Sequence, residues 1–327
     1  MSVSKIGSYV IDGQLGAGAA GTAYRAHHED TGLPAAVKLL SHEMTKDETM
    51  QRRFVREMKL LEKLEHPNIV RYFEGGLFDG RFYYAMELVE FGTLKDVLQK
   101  RQHLTWQEAA ECGVQICNAL QCADQEDIVH RDLKPLNLFL SEDGLIKLGD
   151  FGLARDLKSE TLTLDGTTVG TVLYMAPEQI QGLEITHATD IYALGCLLYE
   201  MLSGRVPFAG NNTMAILEQH FHADPPDVRD VMPNVPKALA DLLVQMMAKD
   251  PAERPADASL VGDQLQRILA TSRVASESVG ESDERSSNLT DRLIDVSTSE
   301  RTRSPKLLMA IVLIVVSLVI VGVAMSQ

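Results

Sequence analysis

The first 90 residues of the chain alternate short apolar runs with glycine-containing turns, a pattern that is typical of strands. One stretch differs, because Phe54, Met58, Leu61 and Leu64 recur at helical spacing between residues 49 and 65. This part therefore predicts a β-rich lobe with one helix. Its strand candidates are YVIDGQL, GTAYRAH, AAVKLL, NIVRYFEGG and RFYYAMELVE.

Residues 93–270 follow the longer period of helices, for instance over 106–123, 190–203 and 238–249. Between helices, LFLSEDGLIKLGDFG predicts two short strands that form a small ribbon. The expected fold class is α+β in two lobes. The small β-rich lobe covers about residues 9–90, and a larger helical lobe covers about residues 91–270.

The composition changes near residue 270. Residues 271–306 are rich in Ser, Thr, Glu, Asp and Arg and contain few large apolar side chains. Such a segment cannot bury enough surface to offset its ordering entropy, so we expect a disordered, acidic Ser/Thr-rich linker. A short amphipathic piece around Leu293 and Ile294 is expected to be transiently helical. The hydroxyls of the linker are read either as autophosphorylation sites or as part of a solvated spacer.

Residues 307–325 read LLMAIVLIVVSLVIVGVAM and carry no charge. About 19 residues at about 1.5 Å each nearly match a hydrocarbon core of about 30 Å. A buried core helix would rarely lack a polar face for so long, so a single C-terminal transmembrane helix is expected. Basic Arg301, Arg303 and Lys306 precede it, which predicts that residues 1–306 face the cytoplasm. The expected localisation is the cytoplasmic (inner) membrane, with a single pass.

The net charge of −15 argues against a nucleic-acid partner, because phosphate backbones attract clustered Lys and Arg. The first three of the four cysteines are five residues apart, so they spiral around a helix and do not share a face. They lack the spacing of a metal site, and we expect reduced, packed thiols at Cys112, Cys117, Cys122 and Cys196.

The stretch LGAGAAGTAY contains Gly16, Gly18 and Gly21 in G-x-G-x-x-G spacing. This spacing occurs in dinucleotide-binding turns and in hairpins that cover the phosphates of ATP. A dinucleotide turn needs a helix after the third glycine and an acidic residue about 20 positions later. Here a strand-like run follows instead, and then Lys38 in the apolar run AAVKLL. The context favours the hairpin.

Further motifs follow in a fixed order. Glu57 lies in the predicted helix, where it could pair with Lys38, and YYAMELVEFG, HRDLKPLN, DFG and APE come after it. With these motifs, residues 9–270 resemble the eukaryotic-like (Hanks-type) serine/threonine protein kinases. The short chain and its apolar C-terminal tail are similar to those of membrane-anchored bacterial members. The resemblance implies the bilobal protein-kinase fold.

The resemblance also implies roles in phosphoryl transfer from ATP. Lys38, steered by Glu57, would hold the α- and β-phosphates. Asp132 would accept or orient the proton of the substrate hydroxyl, and Lys134 would steady the γ-phosphate in the transition state.

Two further residues, Asn137 and Asp150, would hold two Mg²⁺ ions, or Mn²⁺ in their place, because hard cations prefer oxygen ligands. Structural roles are implied for others. Asp190 would brace the catalytic loop, Glu178 and Arg254 would form a buried ion pair, and His130 and Phe151 would pack.

The implied ATP site surrounds the adenine and covers the phosphates. Members of the family usually have valine at the position of Ala23 and a smaller aliphatic at that of Phe139. Losing two methyls at Ala23 would cost about 1–2 kcal/mol of contact, so weaker or differently shaped ATP binding is expected. The site would comprise Leu15, Gly16, Ala17, Gly18, Ala19, Ala20, Gly21, Ala23, Ala36, Lys38, Met86, Glu87, Val89 and Phe139.

Activation would depend on the segment between DFG and APE. A phosphate at Thr167 or Thr168 would add about −2 charge, and Arg131, Arg155 and Arg53 are placed by resemblance to converge on it. A Thr-rich loop with no regulatory role is the alternative.

The resemblance implies serine and threonine substrates. Lys134 follows Asp132 by two residues, as in the Ser/Thr members, and Thr171 matches the threonine that bridges these two residues in them. Leu136 stands where arginine-preferring kinases often have glutamate.

We therefore expect the chain to be a protein Ser/Thr kinase. Its expected partners are protein substrates and a lipid bilayer, and a homodimer would permit trans-autophosphorylation. The alternatives are a pseudokinase scaffold, disfavoured because the key Lys, Asp and Asn are present, and a small-molecule phosphotransferase, disfavoured by the APE segment.

Overall fold

The computed structural model describes residues 4–18, 21–42, 48–151, 172–277 and 289–294. The chain forms a sheet-based N-lobe followed by a helical C-lobe, as predicted. The N-lobe elements are β1 (Lys5–Ile6), β2 (Tyr9–Gly18), β3 (Gly21–His28), β4 (Pro34–Leu40), α1 (Glu48–Leu61), β5 (Tyr72–Phe78) and β6 (Arg81–Glu87).

The N-lobe sheet has six antiparallel strands in the order β1-β2-β3-β4-β6-β5. Helix α1 packs on one face of it, where the rings of Phe54 and Phe82 stack with centroids 4.1 Å apart. Leu40, Met58 and Tyr84 complete this buried cluster. Because Tyr83 is adjacent to Tyr84 in a strand, it points to the other face and packs against a second cluster that includes Val37.

The C-lobe begins after residue 90. Its elements are α2 (Leu94–Arg101), α3 (Trp106–Asp124), β7 (Leu138–Leu140), β8 (Ile146–Leu148), α4 (Pro177–Gln181), α5 (His187–Ser203), α6 (Thr213–His222), α7 (Lys237–Met246), α8 (Ala258–Glu277) and α9 (Leu289–Ile294). Capping boxes begin α2 at Thr93 and α3 at Thr105. Helix α5 is buried along nearly its whole length, so it forms the centre of the lobe.

Two predicted boundaries in the N-lobe differ from the structure. The helix predicted over 49–65 ends at Leu61, ahead of Pro67, although Leu64 is still buried. The strand predicted over 68–76 begins only at Tyr72. Ile69 and Val70 instead contact Leu148 of β8, where the amide of Val70 donates to the Leu148 carbonyl at 2.9 Å. A contact between lobes therefore replaced the first part of the predicted strand.

The predicted linker also differs from the structure. Helix α8 continues to Glu277, seven residues past the predicted boundary at 270. Helix α9 includes the amphipathic piece predicted around Leu293, and it packs on the C-lobe through Leu289 and Leu293, which are 7% and 0% exposed. Arg292 of α9 forms an ion pair with Glu111 of α3. Apolar contacts with a distant part of the chain thus order residues 289–294, whose composition predicts disorder. Residues 278–288 and 295–306 of the predicted linker lie outside the described residues.

The predicted membrane span, residues 307–325, lies outside the described residues. In the described part of the chain, no helix is both long and apolar enough to cross a bilayer. The four cysteines are free thiols; Cys112, Cys117 and Cys196 are buried and Cys122 is half-buried. Burial raises the pKa of each of these thiols, which agrees with a packing role.

Candidate active site

The two lobes meet at an ion pair. Lys38 lies in β4, and its Nζ is 2.5 Å from both Oδ1 and Oδ2 of Asp150, which follows β8. Both side chains are shielded, with 16% and 32% of their areas exposed. Asp150 has φ of +56°, a left-handed conformation that persists in a non-glycine residue only where its surroundings hold it. Two residues predicted for one site are therefore in contact.

Tyr84 of β6 belongs to the same cluster, although the sequence analysis did not single it out. It is the cross-strand partner of Lys38, and its hydroxyl donates to Asp150 Oδ1 at 2.8 Å. Burial, followed by the charge of Asp150, raises the pKa of Tyr84 well above its usual range, so the phenol remains a donor. The sequence signal for Tyr84 was its position two residues before Met86, on the same face of the strand.

The charge state of Asp150 follows from these contacts. Burial by itself would raise the pKa of Asp150. The charge of Lys38 and the hydrogen bonds from Lys38 and Tyr84 outweigh it, so the pKa is lowered and the group is a carboxylate at neutral pH.

A loop anchored to α5 carries the next group. The backbone amides of His130 and Arg131 donate to the two oxygens of Asp190, at 2.7 and 2.8 Å. Arg131 has φ of +65°, so this loop is strained where Asp190 holds it. The ring of His130 packs 4.8 Å from that of Phe151. The implied bracing role of Asp190 and the packing roles of His130 and Phe151 thus agree with their contacts.

Three predicted polar residues form a network in this loop. Lys134 Nζ donates to Asp132 Oδ2 at 2.6 Å. Asn137 Nδ2 donates to the Asp132 carbonyl at 2.8 Å and to Oδ2 at 3.2 Å. The side chains of Asp132 and Lys134 are 19% and 17% exposed, so a substrate group can reach them. The arrangement can orient a hydroxyl and neutralise a negative charge beside it.

The residues also fit a divalent cation between Asn137 and Asp150. The amide of Gly149 donates to the carbonyl of Asn137 at 2.9 Å, which brings Asn137 next to the segment that carries Asp150. The side-chain nitrogen of Asn137 donates to Asp132, so its side-chain oxygen, Oδ1, would be the atom to bind a cation. An amide oxygen and a carboxylate are ligands that Mg²⁺ accepts.

The glycine hairpin is the turn between β2 and β3. The residues of β2 from Asp12 to Gly18 are exposed, Leu15 at 49% among them. A Cβ at Gly16 or Gly18 would meet nothing within 4 Å, whereas one at Gly21 would lie 2.2 Å from the Leu39 carbonyl oxygen. Gly21 also has φ of +141°, so the sheet itself requires glycine there.

Several residues predicted for the ATP site lie on strands of both lobes. Ala36 in β4 is buried, and Ala23 in β3, Met86 in β6 and Phe139 in β7 are half-buried. Ala17 lies in β2.

Two other residues predicted for the ATP site, Glu87 and Val89, lie at the end of β6 and just after it. The amide of Glu87 donates to the Arg71 carbonyl at 2.8 Å, so this N–H belongs to the sheet, and Val89 lies beyond the strand end. The carboxylate of Glu87 forms an ion pair with Lys147 at 2.8 Å.

Several predicted residues lie outside the described part of the structure. These are Ala19 and Ala20, the activation-segment residues Arg155, Thr167, Thr168 and Thr171, and the side chains of Arg53 and Glu57, whose backbones belong to α1.

The buried ion pair implied by the resemblance is present. Arg254 donates to both oxygens of Glu178, at 2.7 and 2.9 Å, and the two side chains are 0% and 4% exposed. Thr189 donates to Glu178 at 2.8 Å. Burial would raise the pKa of Glu178, but the bonds from Arg254 and Thr189 lower it. This pair ties α4 to the segment after α7.

Comparisons with known proteins agree with this geometry. The family described as protein kinase domain matches residues 9–266. Serine/threonine-protein kinase PknJ of Mycobacterium tuberculosis is 37% identical over 257 residues, covering 77% of this chain and 44% of that protein. Serine/threonine-protein kinase PrkC of Bacillus subtilis is 38% identical over 248 residues, covering 76% of this chain and 38% of that protein.

Among solved structures, a mutant kinase domain of Mycobacterium tuberculosis PknI superposes with a TM-score of 0.66 at 25% identity. That match covers 82% of this chain and 99% of the other. The chain spans between 38% and 44% of the length of the curated relatives it matches.

Proposed function

The chain belongs to the protein kinase domain family, and from this membership we propose that it is an ATP-dependent protein serine/threonine kinase. One observation carries the proposal. Lys38 of the N-lobe meets Asp150 of the C-lobe, beside the network of Asp132, Lys134 and Asn137. A pseudokinase scaffold would not need this set of charged and polar side chains close together.

Catalysis would be divided between the residues of this network. Asp132 would orient the substrate hydroxyl and accept its proton, since Lys134 and Asn137 hold its Oδ2 in place. Lys134, already 2.6 Å from Asp132, would neutralise charge that develops on the transferred phosphoryl group. Asp190 would preserve this geometry through the backbone of the loop.

Nucleotide binding would follow the predicted assignments. Lys38, steered by Glu57, would bind the α- and β-phosphates, and the adenine would lie between Ala23, Ala36 and Phe139. Asn137 and Asp150 would hold Mg²⁺, or Mn²⁺ in its place. The bound ion supplies positive charge that offsets the charge of the phosphates.

The chain would be tethered to the cytoplasmic face of the inner membrane. The uncharged segment 307–325 supports a single transmembrane helix, and the basic residues before it support a kinase domain on the cytoplasmic side. Residues 295–306 would then connect α9 to the bilayer, and protein substrates would be met near the membrane surface.

Activation would proceed by phosphorylation of Thr167 or Thr168, in trans within a homodimer. This proposal rests on the resemblance and on Arg131, which precedes Asp132 and whose loop the structure holds rigidly. New charge-assisted bonds to the phosphate would order the segment.

Transfer of ³²P from labelled ATP to protein tests the activity. The purified full chain should label itself or a generic acceptor protein on serine and threonine. The Asp132→Asn variant should lose nearly all of this signal while it keeps the wild-type melting temperature. Equal labelling by both proteins would contradict the catalytic proposal and favour the scaffold.

A further inference from the structure

Asp150 is held by two donors that come from one cross-strand pair. Lys38 and Tyr84 are register partners on β4 and β6, so their side chains leave the same face of the sheet. Lys38 Nζ contacts both oxygens of Asp150 at 2.5 Å, and the Tyr84 hydroxyl contacts Oδ1 at 2.8 Å. The ammonium also lies 5.8 Å from the centre of the Tyr84 ring.

The two donors differ in how far they can move. Lys38 has a flexible side chain, whereas the Tyr84 ring is packed among Leu40, Phe54 and Met58 and is 4% exposed. A phenol held in this way cannot follow Lys38 when the ammonium turns to another anion. The Tyr84 hydroxyl is therefore the less mobile of the two donors to Asp150.

A single hydrogen bond from Tyr84 also leaves Asp150 free to bind a cation. An ionised carboxylate has about four lone-pair sites, and the phenol occupies one of them. Asp150 also has a left-handed backbone, a conformation that persists only where the surroundings hold the residue.

We propose that Tyr84 is a positioning residue that holds the Asp150 carboxylate in place for the divalent ion while Lys38 turns to the nucleotide phosphates. This inference rests on the proposed kinase function. It assigns a role to a side chain that was not predicted as a site residue, although it lies in the run YYAMELVEFG.

The neighbouring tyrosine provides a matched control. Tyr83 lies in the same strand but points to the other face, where its hydroxyl donates to Glu74 at 3.3 Å. Tyr84→Phe and Tyr83→Phe each remove one hydroxyl from a buried ring, and they differ in whether Asp150 loses a donor.

The experiment measures binding of a fluorescent, non-hydrolysable ATP analogue to the full chain in detergent, with and without Mg²⁺. In Tyr84→Phe, the Mg²⁺ concentration for half-saturation should rise about ten-fold, which corresponds to about 1.4 kcal/mol. Binding of the analogue without metal should stay within about two-fold of wild type, since Tyr84 acts through Asp150 alone. Tyr83→Phe should match wild type in both measurements. If Tyr84→Phe does not fold, the Tyr84→Met variant, which also lacks the hydroxyl, is measured in its place.

Two outcomes would overturn the inference. An unchanged Mg²⁺ dependence in Tyr84→Phe would exclude the positioning role. An equal loss of analogue binding with and without metal would assign Tyr84 a structural role only. If wild type itself binds no analogue at any Mg²⁺ concentration, the proposed kinase function fails as well, so the two failures are distinguishable.

Discussion

The ammonium of Lys38 lies 2.5 Å from each carboxylate oxygen of Asp150, although 112 positions separate the two residues in the chain. Each charge therefore neutralises the other across the junction of the lobes. Under the proposed function, this contact must give way when phosphates and a metal ion enter, because Lys38 and Asp150 then acquire separate partners.

Replacing the lysine should remove activity. Lys38→Met retains most of the apolar stem, but it loses the charge that would bind phosphate. We expect kcat/KM for peptide phosphorylation to fall by at least about 100-fold. Lys63→Met is the control, since Lys63 forms only an exposed pair with Glu126 at 3.0 Å. A loss smaller than five-fold in Lys38→Met would argue against the phosphate-binding role.

The glycines of the hairpin should respond differently to alanine. Gly21→Ala would place a Cβ 2.2 Å from the Leu39 carbonyl at positive φ, so we expect it to lower the free energy of unfolding by more than about 2 kcal/mol. Gly16→Ala meets open space and should change stability by less than about 0.5 kcal/mol. Urea denaturation measures both. Equal stabilities of the two variants would refute the requirement for glycine at residue 21.

The buried pair of Glu178 and Arg254 should dominate stability at neutral pH. Glu178→Gln leaves the guanidinium without its charge partner and should cost about 3–5 kcal/mol. Glu178 has a folded-state pKa below its ordinary value of 4.5, so its stabilising contribution is present above that value. The contribution is lost as the pH falls through the lowered folded-state pKa.

Denaturation of wild type and Glu178→Gln at pH 7 and pH 3 measures this contribution, with exposed Glu253→Gln as the control. The difference between wild type and Glu178→Gln should shrink at pH 3. A difference that is the same at both pH values would show that the carboxylate charge does not carry the effect.

His220 should make the protein less stable in mild acid. Burial, assisted by the charge of Lys249, lowers the pKa of His220 to about 3, and the hydroxyl of Tyr192 lies 2.8 Å from its Nδ1. The unfolded chain takes up this proton near pH 6.5 while the folded protein does not, so stability falls as the pH drops from 6.5 toward 3. At pH 5 the loss should be about 2 kcal/mol relative to pH 8.

The His220→Gln variant lacks the imidazole. Its free energy of unfolding should therefore fall between pH 8 and pH 5 by about 2 kcal/mol less than that of the wild type. His103→Gln, which changes an exposed histidine, should keep the wild-type dependence. If His220→Gln also keeps it, the buried imidazole is not the source.

Helix α9 should detach when its buried leucine becomes charged. Leu293 is 0% exposed, and Leu293→Asp would place a carboxylate in the apolar contact with the C-lobe. We expect the backbone amides of α9 to exchange with solvent several-fold faster, because the helix would lose its contact with the C-lobe and the pair of Arg292 with Glu111. Leu260→Asp, at a leucine that is 45% exposed, is the matched control and should leave the exchange rate of α9 unchanged. Unchanged exchange in Leu293→Asp would contradict the docking.

Much of the fold could be predicted because the signals are local. Short apolar runs between glycine-containing turns identified β2, β3, β4 and β6, and helical spacing identified α3 and α5 to within a few residues. The order of motifs likewise brought Lys38, Asp132, Asn137 and Asp150 into one expected site. The errors occur where a distant partner decided the outcome, as at Val70, which bonds to Leu148 instead of extending β5, and at Leu293, which packs on the C-lobe.

The sequence by itself determined the two lobes, the identity of the polar site residues and the uncharged segment 307–325, because periodicity, residue type and spacing are properties of neighbouring positions. The tertiary structure alone decided that Lys38 contacts Asp150, that Tyr84 shares this carboxylate and that Gly21 must leave room for the Leu39 carbonyl. These relationships depend on how strands and lobes pack against each other. That packing is set by the burial of many side chains at once, which no short stretch of sequence specifies.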